Sequence, residues 1–232
     1  MEIYHGSKII VKTPKYKGSN AFNDYGAAFY ATKDLDSAHE WAGRNDTIGV
    51  VNKYKINTRG LKILDLTDKN QFNVLTWLAI LMHFRNLPIK FRDDFASRLN
   101  WLEANYFVNV DEYDLIYGYR ADDAYFAFPL EFIRGNLTYE NLEEIYKLGN
   151  LGKQVVIMSR KAIDRLEFVG HFESKKESVG KYKDRTSGAS KTFKEILVSN
   201  LDKPGMRIGD LINEHNKWSW LRNNRSSLRI LN

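Results

Sequence analysis

Short apolar runs bounded by turn residues recur along this chain, with stretches of helical spacing between them, and that alternation constrains the fold more than any other feature. Glu2 to His5 reads as a strand that ends at Gly6-Ser7, which leaves His5 at a strand end. Lys17 to Asp24, rich in Gly, Ser and Asn, reads as a loop, and Ala27 to Ala31 returns to aromatic and small apolar residues. Asp34 is the expected N-cap of a helix over Leu35 to Arg44, with Trp41 pointing inward. Val50 to Ile56 and Leu61 to Leu66 read as strands around an Asn57 to Gly60 turn. Two helices follow on either side of Pro88, the first marked by Phe72 to Met82 and the second by Phe91 to Phe107.

Tyr113 to Tyr117 has strand character, Arg120 to Tyr125 reads as a polar loop, and Tyr139 to Leu148 as a helix closed by Gly149. Gln154 to Met158 is a compact apolar run suited to a buried strand, followed by a short helix around Lys161 to Leu166. The expected class is α+β, with a domain over residues 1–170 and a basic C-terminal extension over residues 171–232. Between 171 and 205, eight Lys or Arg stand against five Asp or Glu, and Arg185 to Lys191 carries Gly and Ser, so a mobile or partner-ordered tail is expected there. The last stretch, with Trp218, Trp220, Leu221, Leu228 and Ile230, is apolar enough to dock back or to bind a partner.

Composition narrows the chemistry. Zero cysteines among 232 residues exclude a disulfide framework, a thiol nucleophile and any thiolate-bound metal. The histidines other than His5, at 39, 83, 171 and 215, lack ligand spacing, so no metal is expected. A net charge of +6 fits either an ordinary basic protein or a nucleic-acid partner. The opening residues do not follow a signal-peptide succession and no apolar window is long enough to span a bilayer, which gives the expectation of a cytoplasmic protein without membrane contact.

Three segments together carry a resemblance: Tyr4-His5-Gly6-Ser7, then Gly26-Ala27-Ala28-Phe29-Tyr30-Ala31-Thr32, then Ser37 to Trp41. They resemble the ADP-ribosyltransferase superfamily, and more narrowly a family of small bacterial ADP-ribosyltransferase-like proteins catalogued as a domain of unknown function. The likeness continues through Tyr113 to Phe126, which holds Tyr117-Gly118-Tyr119-Arg120-Ala121-Asp122-Asp123, and through Gly152 to Phe168. It implies a split mixed sheet with flanking helices and NAD⁺ as ADP-ribose donor.

By that resemblance His5, Tyr30 and Gln154 form the catalytic triad: His5 holds the ribose, Tyr30 packs on the nicotinamide ring and Gln154 occupies the place of the usual late-strand glutamate. Tyr4, Gly6, Ser7, Asn23, Tyr25 and Trp41 would add donor contacts. As nicotinamide leaves, the ribose gains positive character, which a fixed arrangement of dipoles stabilises. Glutamine forms hydrogen bonds but has no charge and is no general base. The acceptor therefore supplies a good nucleophile, such as a nucleobase nitrogen, or a nearby acid such as Asp122, Asp123 or Glu131 acts as base.

Arg120, Asp122 and Asp123 read either as substrate-positioning groups or as a loop-stabilising charge cluster. Lys175, Lys176, Lys181, Lys183 and Arg185, with Tyr182, Trp218 and Trp220, suggest phosphate attraction and base stacking, or else a solvated linker. The expected activity is transfer of ADP-ribose to a macromolecule, RNA or DNA before protein, by a bacterial toxin or conflict effector with an antitoxin partner. The rivals are an NAD glycohydrolase and an inactive fold that binds nucleic acid or an antitoxin.

Overall fold

A computed structural model describes residues 1–44, 46–121, 123–142, 152–200 and 204–224. The strands are β1 (Glu2–Ser7), β2 (Phe29–Ala31), β3 (Val50–Ile56), β4 (Ile63–Asp65), β5 (Leu115–Tyr119), β6 (Lys153–Ile157) and β7 (Leu166–Glu173). The helices are α1 (Leu35–Gly43), α2 (Val74–Phe84), α3 (Ile89–Asp94), α4 (Ala96–Tyr106), α5 (Asp123–Arg134), α6 (Arg160–Ile163), α7 (Lys181–Asn200) and α8 (Ile208–Asn224). The class is α+β, as the alternating pattern predicts.

Two sheets form. One is antiparallel in the order β1-β3-β7; the other runs β2-β6-β5-β4 and is antiparallel except for the parallel β4–β5 pair. They meet at a bridge in which Tyr4 N donates to Thr32 O at 2.8 Å and Thr32 N donates to Tyr4 O at 2.9 Å. β1, β2 and β6 therefore lie side by side across the junction, although far apart in sequence.

The apolar run of β6 is explained by burial on both faces. Val155 and Ile157 join Leu115, Ile3, Phe29 and Tyr54 in one cluster, whereas Val156 joins Ile116, Tyr25, Phe128, Phe132 and helix α2 in the other. Successive strand side chains point to opposite faces, so a strand covered twice must be apolar throughout. α2 is buried from Leu75 to Met82, and the Asn73 side chain caps it by accepting from Leu75 N and Thr76 N. Asp34 caps α1 in the same way through Ser37 N.

Several elements differ from the sequence expectation. The helix expected over Phe91 to Phe107 breaks at Phe95, whose φ of −120° and ψ of 20° lie outside the helical region and which no Gly or Pro announces. The strand expected over Tyr113 to Tyr117 is shifted to Leu115–Tyr119, because Val110–Glu112 forms a 3₁₀ turn and the Asp114 side chain accepts from Lys62 N. α5 replaces the end of the expected Arg120 to Tyr125 loop; its interior Pro129 lacks an N–H and so hides a helix from pattern reading. The short helix ends at Ile163, and Leu166 already belongs to β7. Of the helix expected over Tyr139 to Leu148, residues 139–142 are helical and the remainder lies outside the described residues.

The segment beyond residue 170 is also more ordered than its composition suggests. β7 passes through that position and pairs with β3 as far as Glu173, and α7 runs through the Gly- and Ser-bearing stretch expected to be mobile or partner-ordered. α8 docks on the main core through Ile208, Leu211 and Ile212. Leu228 and Ile230 lie outside the described residues.

Ile116 is fully buried where the four-stranded sheet meets α2. Ile116→Ala is expected to lower unfolding free energy by about 3 kcal/mol through lost burial and a residual cavity, measured by urea denaturation.

Candidate active site

A cleft of about 1310 Å³ opens at the junction of the two sheets. His5 lies inside β1, which pairs with β3 through Ser7, and not at a strand end as the sequence suggests. His5, Tyr30 and Gln154 line it from β1, β2 and β6, so three sequence candidates meet in one place. Pairing explains why: the Tyr4–Thr32 bridge aligns β1 with the end of β2, and Tyr30 lies opposite Val156, two residues from Gln154.

His5 Nδ1 lies 2.7 Å from Tyr30 O. A carbonyl only accepts, so Nδ1 carries the proton and, in the neutral ring, Nε2 is left as the acceptor. Burial holds the His5 pKa below its ordinary value, only partly offset by this hydrogen bond, and keeps the ring neutral near pH 7. The Tyr30 hydroxyl donates to Gly26 O at 2.7 Å and accepts from Tyr25 N at 3.1 Å. Burial raises its pKa despite the hydrogen bond from Tyr25 N, which lowers it, and the hydroxyl fastens the preceding turn.

Gln154 is 6% exposed and held by its amide nitrogen, which donates to Asp24 Oδ2 at 2.9 Å and more weakly to Tyr119 O at 3.5 Å. Both partners are acceptors, which fixes the orientation of the amide and leaves Oε1 to accept from a ligand. Asp24 Oδ2 also accepts from Ala121 N at 2.9 Å, and Arg85 Nε stands 3.2 Å from Asp24 Oδ1. Asp24 and Arg85 both line the cleft. The sequence alone does not single them out: Asn23-Asp24-Tyr25 reads as a loop that covers the donor or as an Asx turn, and Arg85 ends a helix. Their role is visible only once residues 24 and 154 are neighbours.

Gly6 lets α1 close on β1, since a Cβ there would lie 2.2 Å from Ala38 O. That approach brings Trp41 to the cleft wall, where the Arg120 guanidinium sits 4.2 Å and the Arg44 guanidinium 4.7 Å from the ring centroid. Tyr4, Ser7 and Asn23 line the cleft as well. Tyr25 does not, which corrects its expected place among donor contacts. It is wholly buried and its hydroxyl donates to Tyr119 O at 2.8 Å, passing over Gly118, where a Cβ would lie 1.9 Å from that oxygen.

Arg120 is 5% exposed on the cleft wall. Asp122 lies outside the described residues, and Asp123 begins α5. Glu131 is engaged by Arg134 and by Asn136 Nδ2, so the carboxylate that reaches Gln154 is Asp24 instead. Of the basic residues expected to meet nucleic acid, Lys175 pairs with Asp36 at 2.9 Å, Lys183 with Asp46, and Arg185 Nε donates to Glu40 at 2.8 Å. Arg185 thus ties α7 to α1 and Lys183 ties it to the turn after α1, Lys175 lies ahead of α7, and Lys176 and Lys181 are exposed. Among the described residues no group of three or more His, Cys, Asp or Glu is placed to hold a metal, and no helix is long and apolar enough to cross a membrane.

Fold and cleft together define an α+β protein of two small sheets, joined at a bridge and opened beside it by a histidine, a tyrosine and a glutamine from adjacent strands. Residues 1–168 match the family described as Protein of unknown function (DUF3990), and the chain belongs to that family. No curated protein and no solved structure matches the chain.

Two outcomes follow from this geometry. Asp24 and Arg85 are largely buried, with side chains 9% and 17% exposed, so Asp24→Asn removes the carboxylate facing a guanidinium and is expected to cost about 3 kcal/mol in urea denaturation. For His5 the folded pKa lies below the unfolded value of 6.5, so between the two the unfolded chain binds more protons. His5 therefore makes the protein less stable as pH falls through that window. The thermal midpoint of the wild type should drop more between about pH 7 and about pH 5 than that of His5→Gln.

Proposed function

We propose that the chain is an NAD⁺-dependent ADP-ribosyltransferase that modifies a macromolecule, nucleic acid in preference to protein. In this reading it works as a bacterial toxin or conflict effector in the cytoplasm of its own cell, held in check by an antitoxin protein. The observation that carries the reading is the meeting of His5, Tyr30 and Gln154 on three adjacent strands around one cleft.

The residues present fit such a donor. Arg44, Arg85 and Arg120 make the wall cationic, which suits a diphosphate, and Tyr30 presents an aromatic face. NAD⁺ supplies a ribosyl carbon joined to a cationic leaving group, so the carbon–nitrogen bond breaks with its electron pair retained by nicotinamide. His5, neutral and fixed in one tautomer, holds a ribose hydroxyl through Nε2. Tyr30 keeps the departing ring in plane. Gln154 accepts a hydrogen bond through Oε1, and the Asp24 carboxylate behind its amide places negative charge near the carbon that becomes positive. No residue of the triad is a strong base, which favours an acceptor whose lone pair is available without prior deprotonation, such as a nucleobase nitrogen.

The test is nicotinamide release from labelled NAD⁺, with parallel detection of labelled protein, RNA and DNA. His5→Ala, Tyr30→Ala and Gln154→Ala are each expected to reduce label transfer by about a hundredfold or more. Release without a labelled polymer would turn the reading to a glycohydrolase; absence of release with every acceptor would overturn it.

A further inference from the structure

The chain's positive charge has a more specific place than its C-terminal part. Lys8, Lys12 and Lys15 lie at the rim of the cleft, all three exposed, with Lys153 beside Gln154 on the opposite strand. Arg85 and Arg120 lie deeper in the same wall and Arg44 is exposed beside them, and among the described lining residues the one carboxylate is that of Asp24, which faces Arg85. The contrast with the extension is direct: there, three of the five basic residues are matched to acids of α1 or the turn after it. Among the described lining residues, cations therefore outnumber carboxylates at the cleft mouth, next to the candidate reacting groups.

The rim is also built rather than loose. Asn52, wholly buried on β3, turns its amide to the end of β1 and the segment after it: its Nδ2 lies 3.0 Å from Ser7 Oγ, 3.2 Å from Ile9 O and 3.3 Å from His5 O, and its Oδ1 accepts from Val11 N at 2.7 Å. The Tyr54 hydroxyl donates to Val11 O. Lys8 and Lys12 flank this clamped backbone, so their charges are presented from a fixed position and little ordering is lost on binding. Across the loop, Phe22 is 51% exposed and lines the same cleft, an apolar ring beside cations.

We propose that the Lys8, Lys12 and Lys15 rim with Phe22 is the acceptor surface and that it binds single-stranded nucleic acid. Phosphates would track the lysines and a base would stack on Phe22. The strand must be unpaired, because a base held in a duplex cannot reach groups as enclosed as His5 and Gln154. The location of the acceptor rests on the transferase reading, but the binding itself does not require turnover.

The experiment is fluorescence anisotropy of the full chain, without NAD⁺, against short labelled single-stranded RNA, the same sequence as DNA, its duplex, and an acidic peptide, over a range of salt. Wild type should bind both single strands with a steep salt dependence and the duplex at least about tenfold more weakly. The triple variant Lys8→Gln, Lys12→Gln, Lys15→Gln should lose about 2 units of the slope of log affinity against log salt, near 0.7 for each phosphate contact removed. Phe22→Ala should weaken binding about tenfold with the slope unchanged. Lys176→Gln with Lys181→Gln should leave both quantities as in wild type, and circular dichroism checks that every variant is folded.

RNA binding above DNA binding, or the reverse, identifies the strand chemistry within the proposal. Equal slopes for wild type and the triple variant overturn it, as does tight duplex binding or binding of the acidic peptide alone. Because nicotinamide release is a separate reaction, loss of this surface leaves the transferase reading standing, and an inactive chain that binds single strands leaves the surface standing.

Discussion

Two backbone hydrogen bonds between Tyr4 and Thr32 tie one sheet to the other, and everything of chemical interest lies next to them. Because β1 and β2 touch at this bridge and then separate, the side chains just beside it face a gap instead of a continuous sheet. His5 follows Tyr4 directly and Tyr30 precedes Thr32 by two, so the bridge brings them together and the His5–Tyr30 hydrogen bond follows at 2.7 Å. β6 then sets Gln154 beside the same gap, with the Thr32 hydroxyl donating to Lys153 O at 3.1 Å. The candidate site is a by-product of how two small sheets are joined.

Close approach is the second constraint. Gly6 and Gly118 occur where a neighbour needs the space of a side chain: α1 backbone in the first case, the Tyr25 hydroxyl in the second. Two buried acceptors beside the cleft are each shared by several donors. The Tyr119 carbonyl receives donors from Tyr25, Trp77 and Gln154, and Asp24 receives the amides of Ala121 and Gln154. Such groups are costly in isolation and cheap when their partners are in place.

Much of this was legible in the sequence, for physical reasons that differ by element. β6 announces itself as an apolar run because both faces are covered, and α1 announces itself through the Asp34 cap. α5 did not, since Pro129 argues against the helix that burial of Phe128 and Phe132 imposes. The break at Phe95 carries no residue signal at all. At the site, His5, Gly6, Tyr30, Trp41 and Gln154 were found through a resemblance in motif, and all of them line the cleft. Asp24 escaped because it lies 130 residues from Gln154 and its immediate neighbours suggest only a turn. Tyr25 was misplaced because an aromatic in a loop looks exposed until the glycine that admits it to the core is known.

The family match ends at residue 168, whereas the cleft does not. Tyr182 of α7 lines it and stands 5.8 Å from Trp41, beside the Arg185–Glu40 pair that ties α7 to α1 and the Lys183–Asp46 pair that ties it to the turn after α1. One wall is therefore contributed by a part of the chain outside the matched region. The strands that hold His5, Tyr30 and Gln154 are locked to one another by backbone pairing, whereas Tyr182 reaches the cleft on a helix held by side-chain contacts, so that wall can be redecorated without disturbing the strands.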